Sequence, residues 1–376
     1  MSEGNNSTNT RSLVENPVFF ERNRVFRVYR GGRLFHDFFS DPAEDDFYPE
    51  EWVASTVKAL NKEPGSEHEG VSIVQSTGIL FSRLMEEHRE ALIGAREELG
   101  LLVKLLDSAI RLPVQAHPDK AFARRHFGSP HGKTEMWLLL ATRENANLYF
   151  GFKEGVRKRD LVEAVRASES DRNALPGLLN ELPAQAGDVY LIPARVAHAI
   201  GAGCLILEVQ EPTDLTIQPE AWCGEYHLSP SEMYLGLDQE TAMKCFDFTD
   251  LVGNRAIAAG RKLPQSHLDT PSVSTEHLLT YADTPDFAVN RHRLRGGRST
   301  LRPGPAVYVV TAGEGTVETR VFSRQLRRGD YFFLPACVDD AVLSTTSVLE
   351  VVECLSPEHV RADSRRRGGR GTSNFG

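Results

Sequence analysis

The sequence predicts a mostly β protein built from two related β-barrel units, with helical insertions in the N-terminal unit. Three observations lead to this prediction. Short strand-like runs, separated by Gly and Pro turns, recur along the chain and make up its last third. Helical spacing of apolar residues falls in the first 250 residues. An eight-residue pattern at positions 187–194 (GDVYLIPA) recurs at 329–336 (GDYFFLPA).

The N-terminal elements follow from the apolar pattern, taken in chain order. Residues 1–17 are rich in Ser, Asn and Thr and are predicted to be a disordered tail. Residues 18–250 form the first unit. Its predicted strands are 24–29, 52–55, 101–106, 147–152 and 189–192. Its predicted helices are 80–92, two helices between 161 and 182 that Pro176 separates, and 229–243.

The C-terminal elements are predicted to be all β. Residues 251–275 are polar, contain two prolines and are predicted to be a linker. The second unit covers residues 276–360. A disordered, solvated tail with five arginines is predicted at 361–376, with contact to RNA or another polyanion as the alternative. The predicted strands of the second unit are 287–294, 306–311, 315–322, 331–334 and 341–353.

Composition excludes several classes of protein. The chain has 376 residues and a net charge of −9, which argues against nucleic acid or an anionic membrane as the main partner. It has no long uncharged apolar run that could span a membrane, and its N-terminus has no signal-peptide pattern. Five scattered cysteines fit free thiols in a reducing cytoplasm better than a set of disulfides. The oligomeric state stays open.

Two residue pairs and a later histidine predict a metal site. Gln115 and His117 are two residues apart, as are Lys133 and Glu135, so each pair shares one face of a strand. His198 follows a short apolar strand. With Gln115, His117, Glu135 and His198 as ligands, Zn²⁺ fits best, and Mn²⁺ or Fe²⁺ would also be accommodated. Taken singly, a His-Pro such as His117 is more often a turn histidine, and a glutamate near a tryptophan such as Glu135 is more often a rim charge. The combination favours a catalytic metal.

The repeat gives a prediction about the second unit. In the register of the repeat, His198 aligns with Asp340, and no Gln-x-His pattern precedes Asp340. The second unit is therefore predicted to be a duplicate without a metal. The alternative is that the repeated pattern is a common turn-and-strand sequence.

Four ordered motifs resemble the type I mannose-6-phosphate isomerases. Their order and spacing agree with that family across roughly residues 25–245. The resemblance implies a cupin (jelly-roll) fold, with one Zn²⁺ held at the positions of Gln115, His117, Glu135 and His198. The motifs are 114–120 (VQAHPDK), 132–137 (GKTEMW), 192–201 (IPARVAHAIG), and 207–210 (LEVQ) followed by 214–216 (DLT).

The resemblance also implies a reaction. It implies cytoplasmic interconversion of mannose 6-phosphate and fructose 6-phosphate, in which a proton moves between C1 and C2 through a cis-enediol. By the family pattern, Lys133 contacts the sugar phosphate and Glu208 carries the proton. A structural carboxylate at a strand end is the alternative for Glu208. The chemistry needs an electrophile, a base and a cation, which a metal, a carboxylate and a lysine supply.

Two departures from the family pattern leave the substrate open. Pro113 stands where the family has a serine, and Gln218 stands where it has an arginine. Arg111 and Lys120 lie nearby in the sequence and are the candidates to replace the lost contacts with the substrate phosphate. The alternatives are an isomerase acting on another aldose or on unphosphorylated mannose, and a catalytically weak cupin that binds a sugar phosphate.

Overall fold

The computed structural model describes residues 10–62 and 65–358. The protein is mostly β, as predicted from the sequence, with short helices between the strands. Within these residues no helix is both long and apolar enough to cross a membrane. Residues 1–9 of the predicted N-terminal tail and the predicted basic tail at 361–376 lie outside the described residues.

The helices are short and lie mainly in the N-terminal part. Single 3₁₀ turns occur at Pro176–Leu178 and Met243–Cys245. The α-helices are α1 (Arg11–Val14), α2 (Phe35–Phe39), α3 (Phe81–Glu87), α4 (Arg89–Ile93), α5 (Lys120–Phe127), α6 (Lys158–Ala167), α7 (Pro230–Tyr234), α8 (Gln239–Ala242) and α9 (Gly253–Gly260).

The strands extend through the whole described chain. Residues 18–210 contain β1 (Val18–Phe19), β2 (Arg24–Val25), β3 (Glu50–Val53), β4 (Leu102–Ser108), β5 (Glu135–Thr142), β6 (Asn147–Phe152), β7 (Leu179–Pro183), β8 (Val189–Ile192), β9 (His198–Ile200) and β10 (Cys204–Gln210). The remaining strands are β11 (Trp222–Cys223), β12 (Tyr226–His227), β13 (Arg261–Lys262), β14 (Gln265–Asp269), β15 (Val273–Leu279), β16 (Ala288–Arg295), β17 (Arg298–Thr300), β18 (Ala306–Glu318), β19 (Ser323–Arg327), β20 (Tyr331–Leu334), β21 (Val342–Ser344) and β22 (Val348–Leu355).

Two large sheets contain most of these strands. The first has seven strands in the order β13-β8-β5-β10-β4-β3-β2. The second has ten strands, with the main path β1-β20-β18-β22-β16-β15-β14, and β17, β19 and β21 lie off that path. Strand β10 lies between β5 and β4 and is buried along its whole length. This position explains its nearly continuous apolar sequence, CLILEVQ.

The two sheets repeat one strand order. The path β8-β5-β10-β4 of the first sheet corresponds to β20-β18-β22-β16 of the second, with the strands in the same chain order. The repeated eight-residue pattern contains β8 in one copy and β20 in the other. The register also agrees, because Ile192 pairs with Glu135 as Leu334 pairs with Ala306. The shared topology supports the duplication inferred from the sequence.

The sheets are joined by exchanged strands and by a common core. Val18–Phe19 pairs with β20 in the second sheet, and Arg261–Lys262 pairs with β8 in the first. One buried cluster contains Phe81 and Leu105 from the first half of the chain and Phe333 from the last third. The predicted units therefore pack against each other, and their boundaries stay a prediction. We call residues 276–358 the C-terminal segment.

The segment predicted as a linker, residues 251–275, forms regular structure, and its role as a linker between the two units stays a prediction. It contains α9, β13, β14 and the start of β15, and Ala256 is fully buried. The two prolines, Pro264 and Pro271, fall between these strands, where a missing N–H breaks no sheet hydrogen bond.

Two further predictions need correction. The second helix predicted after Pro176 is instead β7, which pairs with β6. Its leucines fit a helical spacing, but pairing with β6 leaves Leu179 buried and the following residues partly exposed. The predicted disordered tail at 1–17 is too long, because residues 11–14 form α1 and Val14 is buried in the common core.

Candidate metal centre

Gln115 and His117 lie on an extended segment between two backbone neighbours. The Gln115 N–H donates to the His198 carbonyl oxygen and the His198 N–H donates back to the Gln115 carbonyl oxygen, both at 2.9 Å. Ala116 exchanges the same pair of bonds with Ile217 on the other side, at 2.9 and 3.0 Å. The segment is a pair of isolated bridges and not the regular strand that was predicted. Alternation still places Gln115 and His117 on the same side.

The four residues predicted as ligands come together. The ligand atoms of His117, Glu135 and His198 lie within 4.8 Å of one another, and all three residues are buried. The His117 Nε2 atom is 3.0 Å from Glu135 Oε1, and His198 Nε2 is 3.8 Å from Glu135 Oε2. The Gln115 amide nitrogen is 3.4 Å from His198 Nε2, and a half-turn of that amide would present its oxygen instead.

Both imidazoles are oriented by backbone carbonyls. The His117 Nδ1–H donates to the Leu215 oxygen at 3.0 Å, and the His198 Nδ1–H donates to the Val196 oxygen at 2.8 Å. Each ring therefore presents Nε2 to the cluster. Such carbonyl partners are typical of histidines that bind metals, because they fix the tautomer and the ring orientation.

The protonation states suit a cation. Burial, followed by repulsion from His117, lowers the pKa of His198 to about 3, and burial also lowers the pKa of His117. Burial alone would raise the pKa of Glu135, but the charge of Lys133 and the contact with His117 hold it well below its usual value. A neutral His117 ring then points an unprotonated nitrogen at a carboxylate oxygen. Two acceptors that face each other in this way fit a cation held between them, and the donor set suits Zn²⁺.

Lys133 and Glu208 lie beside this cluster. The Lys133 ammonium is 3.0 Å from Glu135 Oε1 and 3.4 Å from both His117 Nε2 and Thr216 Oγ1. The indole N–H of Trp137 lies 3.1 Å from a Glu208 oxygen and 3.2 Å from a Glu135 oxygen. Burial and the charge of Glu135 raise the pKa of Glu208 to about 7.

A buried charged network behind Glu208 was not predicted. The Lys104 ammonium lies 3.4 Å from Glu208, 3.7 Å from Asp214 and 3.8 Å from Glu50. Arg27 binds Glu50 at 2.8 Å and Asp214 at 3.1 Å. A lysine inside the apolar run of β4 was the available signal, because a charged residue is rarely buried without a partner.

Two predicted substrate contacts have partners of their own. Both terminal nitrogens of Arg111 bind Glu220, at 2.5 and 2.8 Å, and the same carboxylate accepts the Val114 N–H at 2.8 Å. The Gln218 amide donates to the Glu232 carbonyl oxygen at 3.5 Å. Their role as substrate contacts therefore stays a prediction.

The equivalent position in the second sheet has different neighbours. Glu208 pairs with Trp137 across β10 and β5, and Glu353 pairs with Tyr308 across β22 and β18. The Tyr308 hydroxyl donates to Glu353 at 2.6 Å, just as the indole N–H donates to Glu208. At the place of Glu135, however, the second sheet has Ala306, which offers no ligand atom.

A family model for the catalytic domain of type I phosphomannose isomerases matches residues 34–149. Over this segment, about a third of the chain, the sequence is similar to that catalytic domain. The match confirms the resemblance inferred from the motifs. It includes three of the four predicted ligands, and His198 and Glu208 lie beyond it.

Relatives resemble the chain over most of its length. A mannose-6-phosphate isomerase of Streptococcus mutans is 29% identical over 325 residues, which cover 85% of this chain and 92% of the relative. ManA of Bacillus subtilis, also named mannose-6-phosphate isomerase, is 27% identical over 290 residues, which cover 71% of this chain and 80% of the relative. The crystal structure of the mannose 6-phosphate isomerase from Bacillus subtilis superposes with a TM-score of 0.71 at 23% identity, covering 89% of this chain and 99% of that one. The chain thus shares the fold of that structure along nearly its whole length.

Proposed function

We propose that this protein is a zinc-dependent mannose-6-phosphate isomerase that interconverts mannose 6-phosphate and fructose 6-phosphate through a cis-enediol. The observation that carries the proposal is the convergence of four candidate metal ligands beside the buried carboxylate of Glu208. The family match and the names of the relatives support the same reaction.

Glu208 is the candidate base. In its deprotonated form it would take the proton from C2 of the aldose and return it to C1, while the proton of the C2 hydroxyl passes to the C1 oxygen, which gives the ketose. A pKa near 7 suits this task, because a base then combines availability with strength at neutral pH. The Trp137 N–H and the Lys104 ammonium each lie close to this carboxylate and would hold its orientation.

The metal ligands and Lys133 supply the electrophilic part of the site. A bound Zn²⁺ would polarise the C1 and C2 oxygens of the sugar as a Lewis acid. The Lys133 ammonium is buried at the edge of the cluster, where it would balance negative charge that develops on the sugar or is carried by the phosphate. These roles of Lys133 and Glu208 rest on their positions beside the ligands.

A different sugar is the alternative to mannose 6-phosphate as the substrate. Pro113 offers no hydroxyl to a phosphate, Gln218 carries no charge, and Arg111 is engaged by Glu220. These observations favour an isomerase that acts on another aldose or on unphosphorylated mannose as the second candidate.

One experiment separates the candidates. Purified protein loaded with Zn²⁺ is given mannose 6-phosphate and free mannose in parallel, with a chelator-treated control. Chelator-sensitive turnover of mannose 6-phosphate alone is the expected result. Turnover of mannose alone would favour the alternative, and no turnover of either sugar with zinc bound would refute the proposed reaction.

We also propose the cytoplasm as the location and residues 18–250 as the catalytic unit. All five cysteines are free thiols, and four of them are buried, which fits a reducing compartment. The catalytic unit carries the four candidate ligands, Lys133 and Glu208.

A further inference from the structure

The backbone just before Glu135 is held by a buried carboxylate. Glu211 accepts the N–H of Gly132 on one oxygen and the N–H of Thr134 on the other, both at 3.1 Å. Its own N–H donates to the Thr134 carbonyl oxygen at 3.1 Å. The N–H of Lys133 donates to the Pro118 oxygen at 3.0 Å. All three backbone donors of residues 132–134 are therefore engaged.

This clamp joins the two parts of the chain that carry neighbouring ligands. Pro118 directly follows His117, and Thr134 directly precedes Glu135. The approach is close, because a Cβ atom on Gly132 would lie 2.7 Å from the Pro118 oxygen. The position of residues 132–134 against Pro118 thus determines how far Glu135 lies from His117.

The Glu211 carboxylate needs a counter-charge, because its side chain is only 3% exposed. Lys120 supplies it, with its ammonium 3.5 Å from Glu211. Lys120 is the first residue of α5, whose start is fixed where Asp119 accepts the Phe122 N–H at 2.7 Å. The lysine side chain is nearly half exposed, so a second contact is needed to keep the ammonium over Glu211.

Asp286 makes that second contact from the C-terminal segment. Its carboxylate binds the Lys120 ammonium on one oxygen and accepts the Thr284 hydroxyl on the other, at 3.0 Å. Asp286 is only 8% exposed and lies just before β16. Charge contacts therefore run from Asp286 through Lys120 and Glu211 to the backbone that carries Lys133 and Glu135.

We propose that Asp286 is a positioning residue for the metal centre, acting through Lys120 and Glu211. The C-terminal segment contributes no candidate ligand, but it thereby helps to set the geometry of the N-terminal ligands. The inference rests on the proposed metal site for its effect on zinc and turnover, but the clamp itself is testable in the metal-free protein.

The test compares Asp286→Asn with a matched control, Asp283→Asn. Asp283 lies in the same connection between β15 and β16 and also reaches the first sheet, where it binds Lys262 of β13 at 3.0 Å. No contact joins Lys262 to Glu211 or Lys120 among the described residues. Three quantities are measured on the full chain: amide hydrogen exchange of residues 132–134, zinc affinity by competition with a chromophoric chelator, and kcat and KM.

Asp286→Asn is expected to speed exchange at residues 132–134, to weaken zinc binding about tenfold and to lower kcat while KM changes little, as for other groups that orient ligands. Asp283→Asn is expected to leave all three unchanged. Asp286→Glu keeps the charge and should recover part of the loss. If Asp286→Asn does not fold, Lys120→Met removes the same link at a more exposed position and should give the same result.

Unchanged exchange and unchanged zinc affinity in Asp286→Asn would refute the positioning role, as would equal losses in both variants. A wild-type protein that neither binds zinc nor turns over sugar would refute the proposed function instead. The exchange measurement would still decide whether Asp286 supports the clamp.

Discussion

Glu208→Gln tests the proposed chemistry most directly. Glutamine keeps the size of the side chain and an oxygen that accepts the Trp137 N–H, but it cannot take a proton. Removing a general base typically lowers kcat by about 10²–10⁴-fold, which corresponds to about 3–5 kcal/mol of activation free energy. KM and zinc content should change little, because Glu208 is not one of the predicted ligands.

The second sheet provides the control for this substitution. Glu353→Gln changes the carboxylate at the equivalent register position, where Tyr308 and Arg302 bind it at 2.6 and 3.0 Å. It should cost about 1–3 kcal/mol of folding free energy and leave kcat unchanged. The assay follows isomerisation of mannose 6-phosphate labelled with deuterium at C2. A kcat of Glu208→Gln within about tenfold of the wild type would refute the assignment of the base.

The pH dependence gives an independent check on Glu208. Its pKa is about 7 in the metal-free protein, so the carboxylate form, which is the active one, increases as pH rises through 7. A bound cation beside Glu135 favours the charged form and lowers this pKa. The acid limb of kcat/KM should therefore lie below pH 7 in the zinc enzyme and should disappear in Glu208→Gln. An acid limb that is the same in both would mean that another group titrates.

Three further substitutions test the surroundings of the base. His198→Ala removes a candidate ligand, so bound zinc measured by elemental analysis should fall well below that of the wild type, and turnover should fall to that of chelated protein. Lys104→Met removes a charge that lowers the pKa of Glu208, so the acid limb of kcat/KM should move to higher pH. The free energy of unfolding, measured in urea, should fall by about 3–5 kcal/mol, because three carboxylates lose a buried counter-charge. Gln218→Arg should raise activity on phosphorylated sugar if the missing guanidinium limits phosphate recognition, and unchanged activity would contradict that account.

Short-range sequence pattern was enough to predict most of the candidate metal centre. Gln115 with His117, and Lys133 with Glu135, are two residues apart, and this spacing predicts a shared face even though the first pair forms bridges and not a strand. His198 follows an apolar strand and a proline turn that the sequence shows clearly. The role of Glu208 came from family resemblance alone, because a carboxylate inside β10 has no spacing to a second ligand.

Contacts between distant parts of the chain could not be predicted. Glu211 binds the backbone at residues 132–134, and Lys120 meets Asp286 across 166 positions of sequence. Such bonds depend on how the two sheets pack, and no periodicity of one segment encodes them. The wrongly predicted helix after Pro176 has a similar cause, since pairing with β6 overrides the local leucine spacing.

A comparison of the two sheets shows that the neighbours of a carboxylate decide its chemistry. Glu208 and Glu353 have the same register position, and each accepts a hydrogen bond from an aromatic side chain of the adjacent strand. Burial and Glu135 raise the pKa of Glu208 towards neutrality. Burial would also raise the pKa of Glu353, but His292 and Arg302 outweigh it and hold the pKa far below its usual value. Glu353 is thus a weak base held in ion pairs, whereas in the first sheet a carboxylate with a pKa near neutrality lies beside the candidate metal ligands.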